Sequence, residues 1–272
     1  MAIERICVLG AGKLGSGIAH VAASSGFDVA LRDIEESKLE QALNQIEASL
    51  ADSERPAGRI TATLLLEEAV KDADLVMEST PEHIAQKGEL FATIDAICAE
   101  RTVFATTTCT LSISELAGSV KRKDKFLGMH FFYPVTETKL VEVALGEETS
   151  AETFGAVRQV VDRMGRTCAR LQESPLFIMN RTIVAVINEA TFMLMEGLSN
   201  VEGIDNAMKL GTNWPKGPFE FADEMGLDTC LEYLELLQRE LGDPKYRPCP
   251  LLRKKVRAGH LGRKVGRGFY QY

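Results

Sequence analysis

Little in this sequence invites a metal ion or a disulfide. Its six cysteines, Cys7, Cys98, Cys109, Cys168, Cys230 and Cys249, form no CxxC pair, and only four histidines are scattered along 272 residues. Metal ligands cluster at short spacings, so no metal site is expected. Scattered thiols, several in apolar runs, fit reduced cysteines in a cytoplasmic protein. Long apolar runs are missing too. The most apolar stretch, 183–195, is broken by Asn188, Glu189 and Thr191, far short of the ~20 residues that cross a bilayer. A strand-like run already begins at Ile3, so no leader peptide is expected. The chain has no excess of positive charge. Its formal net charge of −8 disfavours non-specific binding to nucleic acid. No internal repeat or low-complexity segment is visible. At 45% hydrophobic and 26% charged, the chain is an ordinary globular sequence, with room for one large domain or two of usual size.

What the chain does have is alternation. Short β-like runs at 5–9, 28–32, 75–78, 103–106, 126–130 and 140–144 are separated by amphipathic helical stretches at 12–25, 36–51, 84–98 and 113–120. Such alternation implies a parallel sheet covered by helices. One more helix–strand unit is expected over 151–171. From Pro175 onward nearly everything reads helical. The expected organisation is an α/β domain over 1–180 and a smaller all-α C-terminal domain over 181–272. The apolar faces of the second domain suit a homodimer contact.

Gly10-Ala11-Gly12-Lys13-Leu14-Gly15 fits G-x-G-x-x-G. Alone the pattern is weak, and a tight turn without a ligand would also produce it. Here it follows a strand and opens a helix near the N-terminus, as a Rossmann nucleotide site does. Gly10 permits the turn, Gly12 lets the backbone approach a pyrophosphate, and Gly15 lets helix and strand pack closely. The helix N-terminus offers N–H groups and partial positive charge to the phosphates. Asp33 ends the second strand, 18 residues beyond Gly15. A carboxylate there bonds ribose hydroxyls and repels a 2′-phosphate, so NAD is expected over NADP. The neighbouring Arg32 runs against that preference.

His130 ends the apolar run Phe126–Met129, at the strand end where ligands bind in a parallel sheet. A lone histidine there is more often a satisfied structural group. Glu142 lies between valines in Lys139–Ala144 and alone is more often a solvent-facing strand residue. Brought together on adjacent strands, the carboxylate would fix the imidazole tautomer and raise its basicity.

The blocks GAGKLGSGIAH, GMHFFYPV, KLVEV, MNRTIVAVINEA and VEGIDNAMKLGTNWPKGPFEFADEMGLD, in this order over nearly the whole chain, resemble the short-chain L-3-hydroxyacyl-CoA dehydrogenase family. The resemblance implies NAD-dependent oxidation or reduction of a 3-hydroxyacyl or 3-ketoacyl thioester by a dimeric enzyme of fatty-acid metabolism. It implies that His130 is the general base, that Glu142 orients it, and that Asn180 bonds the substrate carbonyl. Glu82 and Lys87 match the family's acidic and basic residues near the nicotinamide end of the cofactor.

Four departures bear on the substrate. The family serine that bonds the reacting hydroxyl maps to Cys109, a weaker hydrogen-bond donor, and a neighbouring threonine is the alternative donor. Tyr133 stands where the family has asparagine and would narrow the pocket. Thr136, Glu137 and Thr138 make a polar rim suited to a short acyl group. Over Ile46–Thr63 relatives carry a longer lysine-containing hairpin that helps hold CoA, whereas Pro56-Ala57-Gly58 reads as a tight connection. The carrier is therefore open between CoA and an acyl carrier protein, with a glyceryl-carrier or free hydroxy acid substrate as the alternative. The basic residues of 253–267 either meet phosphates or form a solvated surface. A non-catalytic NAD-binding structural or sensory protein is the remaining reading, which an intact His130, Glu142 and Asn180 disfavour.

Overall fold

The computed structural model describes residues 2–51 and 59–272, which fall into two compact units, Met1–Ser174 and Pro175–Tyr272. The units part a few residues ahead of the expected 180/181 division. The chain leaves its last strand at Gln172 and enters the next helix at Met179, so the division falls in the connection and not inside the helix. The expected Pro56-Ala57-Gly58 connection lies outside the described residues.

Unit 1 is an eight-stranded sheet: β1 (Arg5–Leu9), β2 (Asp28–Arg32), β3 (Ile60–Thr63), β4 (Leu75–Glu78), β5 (Val103–Thr106), β6 (Phe126–Phe131), β7 (Leu140–Leu145) and β8 (Thr167–Gln172), in the spatial order β3-β2-β1-β4-β5-β6-β7-β8. The first six strands run parallel. Their connections carry α1 (Lys13–Ser24), α2 (Glu36–Ala51), α3 (Leu66–Val70), α4 (Ile84–Ile97) and α5 (Ile113–Ala117). Strands β4, β5 and β6 are buried along their whole length, which explains their unbroken apolar runs.

Two features differ from the sequence expectation. β3 follows the segment expected to be a tight connection and was not expected as a strand; it is a four-residue edge strand with three partly buried residues and one exposed. β7 pairs with β6 antiparallel, and β8 then runs parallel to β7. Only residues 132–139 join β6 to β7. A parallel return needs a crossover of about a dozen residues or more, so this short link turns the chain back on itself. α6 (Ala151–Arg163) carries the chain from β7 to β8.

Unit 2 is all-α: α7 (Met179–Met195), α8 (Val201–Thr212), α9 (Pro218–Met225), α10 (Leu227–Leu241) and α11 (Pro250–Arg257). Its apolar centre joins Ala190, Ile204 and Phe219. Two buried carboxylates organise it. Asp205 accepts the Phe219 and Glu220 N–H groups at the start of α9, and the Tyr270 hydroxyl. Asp223 accepts the Phe269 and Tyr270 N–H groups and the Tyr272 hydroxyl, tying down the C-terminal tail. Three residues of the basic segment are used inside this unit. Arg253 pairs with Glu235, Lys264 with Asp228, and Lys255 bonds the Gly268 carbonyl.

Candidate active site

The turn from β1 into α1 is shaped by its glycines. Gly10 has φ +107°, and a Cβ on it would strike the Ser79 carbonyl; a Cβ on Gly15 would strike the Gly10 carbonyl. A Cβ on Gly12 would meet nothing within 4 Å. Gly10 and Gly15 therefore serve the chain's own packing, whereas Gly12 leaves open space in front of the backbone. Gly12 is also the N-cap of α1, and no side chain caps the helix there. Bare backbone at an uncapped helix N-terminus fits a pyrophosphate bound on the Gly12-Lys13-Leu14 segment.

Asp33 is buried behind this loop. Its Oδ2 accepts the Ala11 N–H at 2.7 Å, and its Oδ1 accepts the N–H groups of Ile34 and Glu35. A carboxylate accepts about four hydrogen bonds, so Asp33 fixes the glycine loop and keeps capacity for a ribose hydroxyl. Arg32 donates to the Leu64 carbonyl at 3.3 Å, which ties it to the neighbouring loop. These residues fit NAD.

His130 and Glu142 face each other across the antiparallel β6–β7 pair. The short return that reverses β7 is thus what opposes them. Nδ1 of His130 lies 2.8 Å from Oε2 of Glu142, and both residues are buried, at 8% and 1% exposure. The Cys109 thiol also hydrogen-bonds the imidazole. Burial alone would lower the imidazole pKa. Its hydrogen bonds to Cys109 and Glu142, with the charge of the Glu142 carboxylate beside the ring, outweigh burial and raise it to about 9. Phe132 packs edge-on against the imidazole, with ring centroids 4.5 Å apart.

Lys87 is placed differently from the resemblance. It has no exposed surface. Its ammonium sits 2.7 Å from both oxygens of the equally buried Glu78, 3.2 Å from the Thr80 carbonyl and 3.5 Å from Glu82. Lys87 lies beneath Glu82, whose side chain is 41% exposed. Glu82 in turn accepts the hydroxyls of Thr108 and Thr110, and Thr106 donates to Glu78. These three threonine hydroxyls are committed to carboxylates. Glu78 was missed in the sequence. Its signal was an acidic residue closing an apolar central strand nine positions before a lysine.

Asn180 lies in the first turn of α7, in unit 2. Tyr133 is 67% exposed and does not narrow a buried pocket. With Pro134, Val135 and Thr136 it borders a cleft of about 490 Å³, whose other wall carries Lys13, His20 and Lys38. Arg166 donates to the Thr136 and Thr138 carbonyls and holds this rim. Among the described residues there is no cluster of metal ligands, and no helix is long and apolar enough to cross a membrane.

Comparison with known proteins adds an independent result. Residues 5–174 match the model of the 3-hydroxyacyl-CoA dehydrogenase NAD-binding domain, and residues 177–272 match that of the 3-hydroxyacyl-CoA dehydrogenase C-terminal domain. A probable 3-hydroxybutyryl-CoA dehydrogenase of Bacillus subtilis is 45% identical, over 100% of this chain and 98% of its own. The solved (S)-3-hydroxybutyryl-CoA dehydrogenase of Ralstonia eutropha superposes with a TM-score of 0.95 at 39% identity, covering 100% of this chain and 99% of that one. A solved diketoreductase superposes with a TM-score of 0.85 at 31% identity, covering all of both chains. The chain, with its NAD-binding domain followed by the helical domain, belongs to the 3-hydroxyacyl-CoA dehydrogenase family of NAD-dependent oxidoreductases.

Proposed function

We propose that this enzyme interconverts a short-chain 3-hydroxyacyl-CoA ester and its 3-ketoacyl form. The observation that carries the reading is the buried His130–Glu142 pair, 2.8 Å apart, in the domain that also holds the glycine loop. NAD held on the glycine loop would supply the hydride chemistry at substrate C3. The chain's own groups handle the proton. Nε2 of His130 removes it from the hydroxyl in oxidation and gives it back in reduction. Glu142 holds the Nδ1–H, so the Nε2 lone pair is the one presented, and its charge stabilises the imidazolium that forms. Asn180 is assigned to the substrate carbonyl, as the family pattern implies. Cys109 stands beside the reacting hydroxyl. Gly10, Gly12, Lys13, Leu14, Gly15 and Asp33 hold the dinucleotide, and Glu82, with Lys87 beneath it, lies toward its nicotinamide end.

Lys13 and Lys38 along the cleft beside Gly12 offer cations to a phosphorylated carrier, which supports CoA. A cytoplasmic homodimer acting in fatty-acid metabolism completes the reading. Exposed Leu198 and Leu210 in the helical unit are available for a second copy. A non-thioester dicarbonyl substrate is the second reading, favoured by the likeness to the diketoreductase.

The test is NADH oxidation, followed at the nicotinamide absorbance, with acetoacetyl-CoA, its pantetheine and carrier-protein thioesters, and a free diketone. Turnover highest on the CoA ester is expected. Turnover confined to the carrier-protein thioester or to the free diketone would replace CoA as the carrier. Turnover of none of them would remove the reading.

A further inference from the structure

We propose that Glu82 biases the enzyme toward oxidised over reduced NAD, and that the buried Glu78 keeps the charge of Glu82 uncompensated for that task. The distribution of charge after β4 carries this. Three acceptors within 3.2 Å match the three N–H donors of Lys87: both Glu78 oxygens and the Thr80 carbonyl. Glu78 also accepts the Thr80 N–H and hydroxyl, each at 2.6 Å, and the Thr106 hydroxyl at 2.7 Å. Glu78 and Lys87 have no exposed surface, and each is the counter-charge of the other. Glu82 stands outside this pair. It lies 3.5 Å from the Lys87 ammonium, beyond the acceptors that use its protons, and its Oε1 is held by the neutral hydroxyls of Thr108 and Thr110. Among the described residues no other ammonium or guanidinium lies within 4 Å of Glu82. Two carboxylates and one ammonium leave one negative charge, and of the three only Glu82 has exposed surface, at 41%.

The strand order says what this charge faces. The order reverses between β1 and β4, and a dinucleotide lies in the crevice at such a reversal. Asp33 and the glycine loop take the ribose and pyrophosphate on the β2 and β1 side, so the nicotinamide end falls on the β4 and β5 side. The two sides touch, since a Cβ on Gly10 would strike the carbonyl of Ser79, which follows β4. Glu82 and the threonines that hold it belong to the connections after β4 and β5. This step rests on the placement of Glu82 toward the nicotinamide proposed above. The nicotinamide ring is positively charged in NAD⁺ and neutral in NADH. An uncompensated carboxylate on its side attracts the oxidised ring and gains nothing from the reduced one. Without the Glu78 charge, Lys87 would have Glu82 as its counter-charge, and the surplus would vanish. Glu78 is therefore a positioning residue: it never meets the cofactor and acts by absorbing the charge of Lys87.

The experiment measures the dissociation constant of NADH by nicotinamide fluorescence and that of NAD⁺ by displacement of NADH, and takes their ratio for the whole protein and its variants. Glu82→Gln removes the surplus charge. Its ratio is expected to move toward NADH by about tenfold, the scale of one charge acting on another several ångströms away at a protein surface. Glu78→Gln is expected to move the ratio in the same direction by a similar factor, because Lys87 then offsets Glu82. Glu78→Gln combined with Lys87→Met removes one charge of each sign and is expected to restore the parent ratio. A merely structural role for Glu78 predicts the opposite, a double variant at least as disturbed as the single one, and that result would overturn the part assigned to Glu78. Should Glu78→Gln fail to fold, the double variant decides the same point against the parent. Weaker or tighter binding of both cofactor forms by one factor in Glu82→Gln leaves the ratio unchanged and would overturn the proposal, since a charge felt by the phosphates alone treats both forms alike. Acetoacetyl-CoA turnover by the parent is followed alongside. Its absence would remove the thioester reading without moving the ratio, and an unchanged ratio beside full turnover would remove this proposal and leave that reading standing.

Discussion

The pH at which His130 changes charge follows from what touches its ring. Buried without partners, an imidazole titrates below its usual range; held by Cys109 and Glu142, this one is raised to about 9. The two reaction directions need opposite forms. Reduction uses the imidazolium as acid, so kcat/KM for acetoacetyl-CoA is expected to be level below about pH 9 and to fall tenfold per unit above it. Oxidation uses the neutral ring and should rise toward that pH. Glu142→Gln removes the carboxylate charge. It should move the reductive limb to lower pH and cut kcat by about 100-fold or more, the scale of a mispositioned base. A limb that stays in place in Glu142→Gln would mean that Glu142 does not set the titration. Neither residue marked a site by itself in the sequence; the resemblance singled out the pair, and the register of β6 and β7 opposes the two. The Cys109 contact was not legible, since it depends on the path of the loop at 107–110, which Glu82 fixes from another connection. Lys87 shows the same limit. Spacing put it near the site, but only packing shows its ammonium closed in by Glu78 and Thr80.

At the scale of elements, the β1–α1 turn separates what the chain needs from what the ligand needs. Gly15 and Gly12 belong to one motif, yet their surroundings differ. Gly15→Ala would drive a methyl group into the Gly10 carbonyl, which is backbone and cannot yield cheaply. A stability loss of about 1–3 kcal/mol is expected, read as a lower midpoint in urea. Gly12→Ala meets no protein atom within 4 Å, so its stability should stay within about 0.5 kcal/mol of the parent. Its methyl group would instead occupy the space kept for the pyrophosphate. NADH affinity, titrated by nicotinamide fluorescence, should weaken at least tenfold, which corresponds to about 1.4 kcal/mol. Equal NADH binding by Gly12→Ala and the parent would argue that the phosphates lie elsewhere. The six strands with buried, apolar sequences were legible for the same reason that this motif was: their local pattern and their tertiary role agree. β3 and the reversal at β7 were not, because a half-buried edge strand carries little pattern and strand direction depends on connection length.

For the whole molecule, the division of the chain predicts a division of labour. The glycine loop, Asp33, Glu82, His130 and Glu142 all lie within Met1–Ser174, whereas Asn180 lies in Pro175–Tyr272. Every residue assigned here to the dinucleotide is therefore on one side of the division, and the residue assigned to the substrate carbonyl is on the other. Asn180→Ala should leave NADH affinity and the thermal stabilisation by NADH unchanged. If its amide bonds the carbonyl more strongly as charge develops on it, kcat for acetoacetyl-CoA should fall about 100-fold, in line with the loss of one such donor. If the amide serves binding alone, KM should rise while kcat stays level. A parallel loss of NADH affinity would break the proposed division and place Asn180 with the cofactor. The sequence could suggest this arrangement, because a change from alternating β and α patterns to helices alone is visible along the chain. The point of division was less visible, since it falls in the short connection between Gln172 and Met179, which carries no pattern of its own.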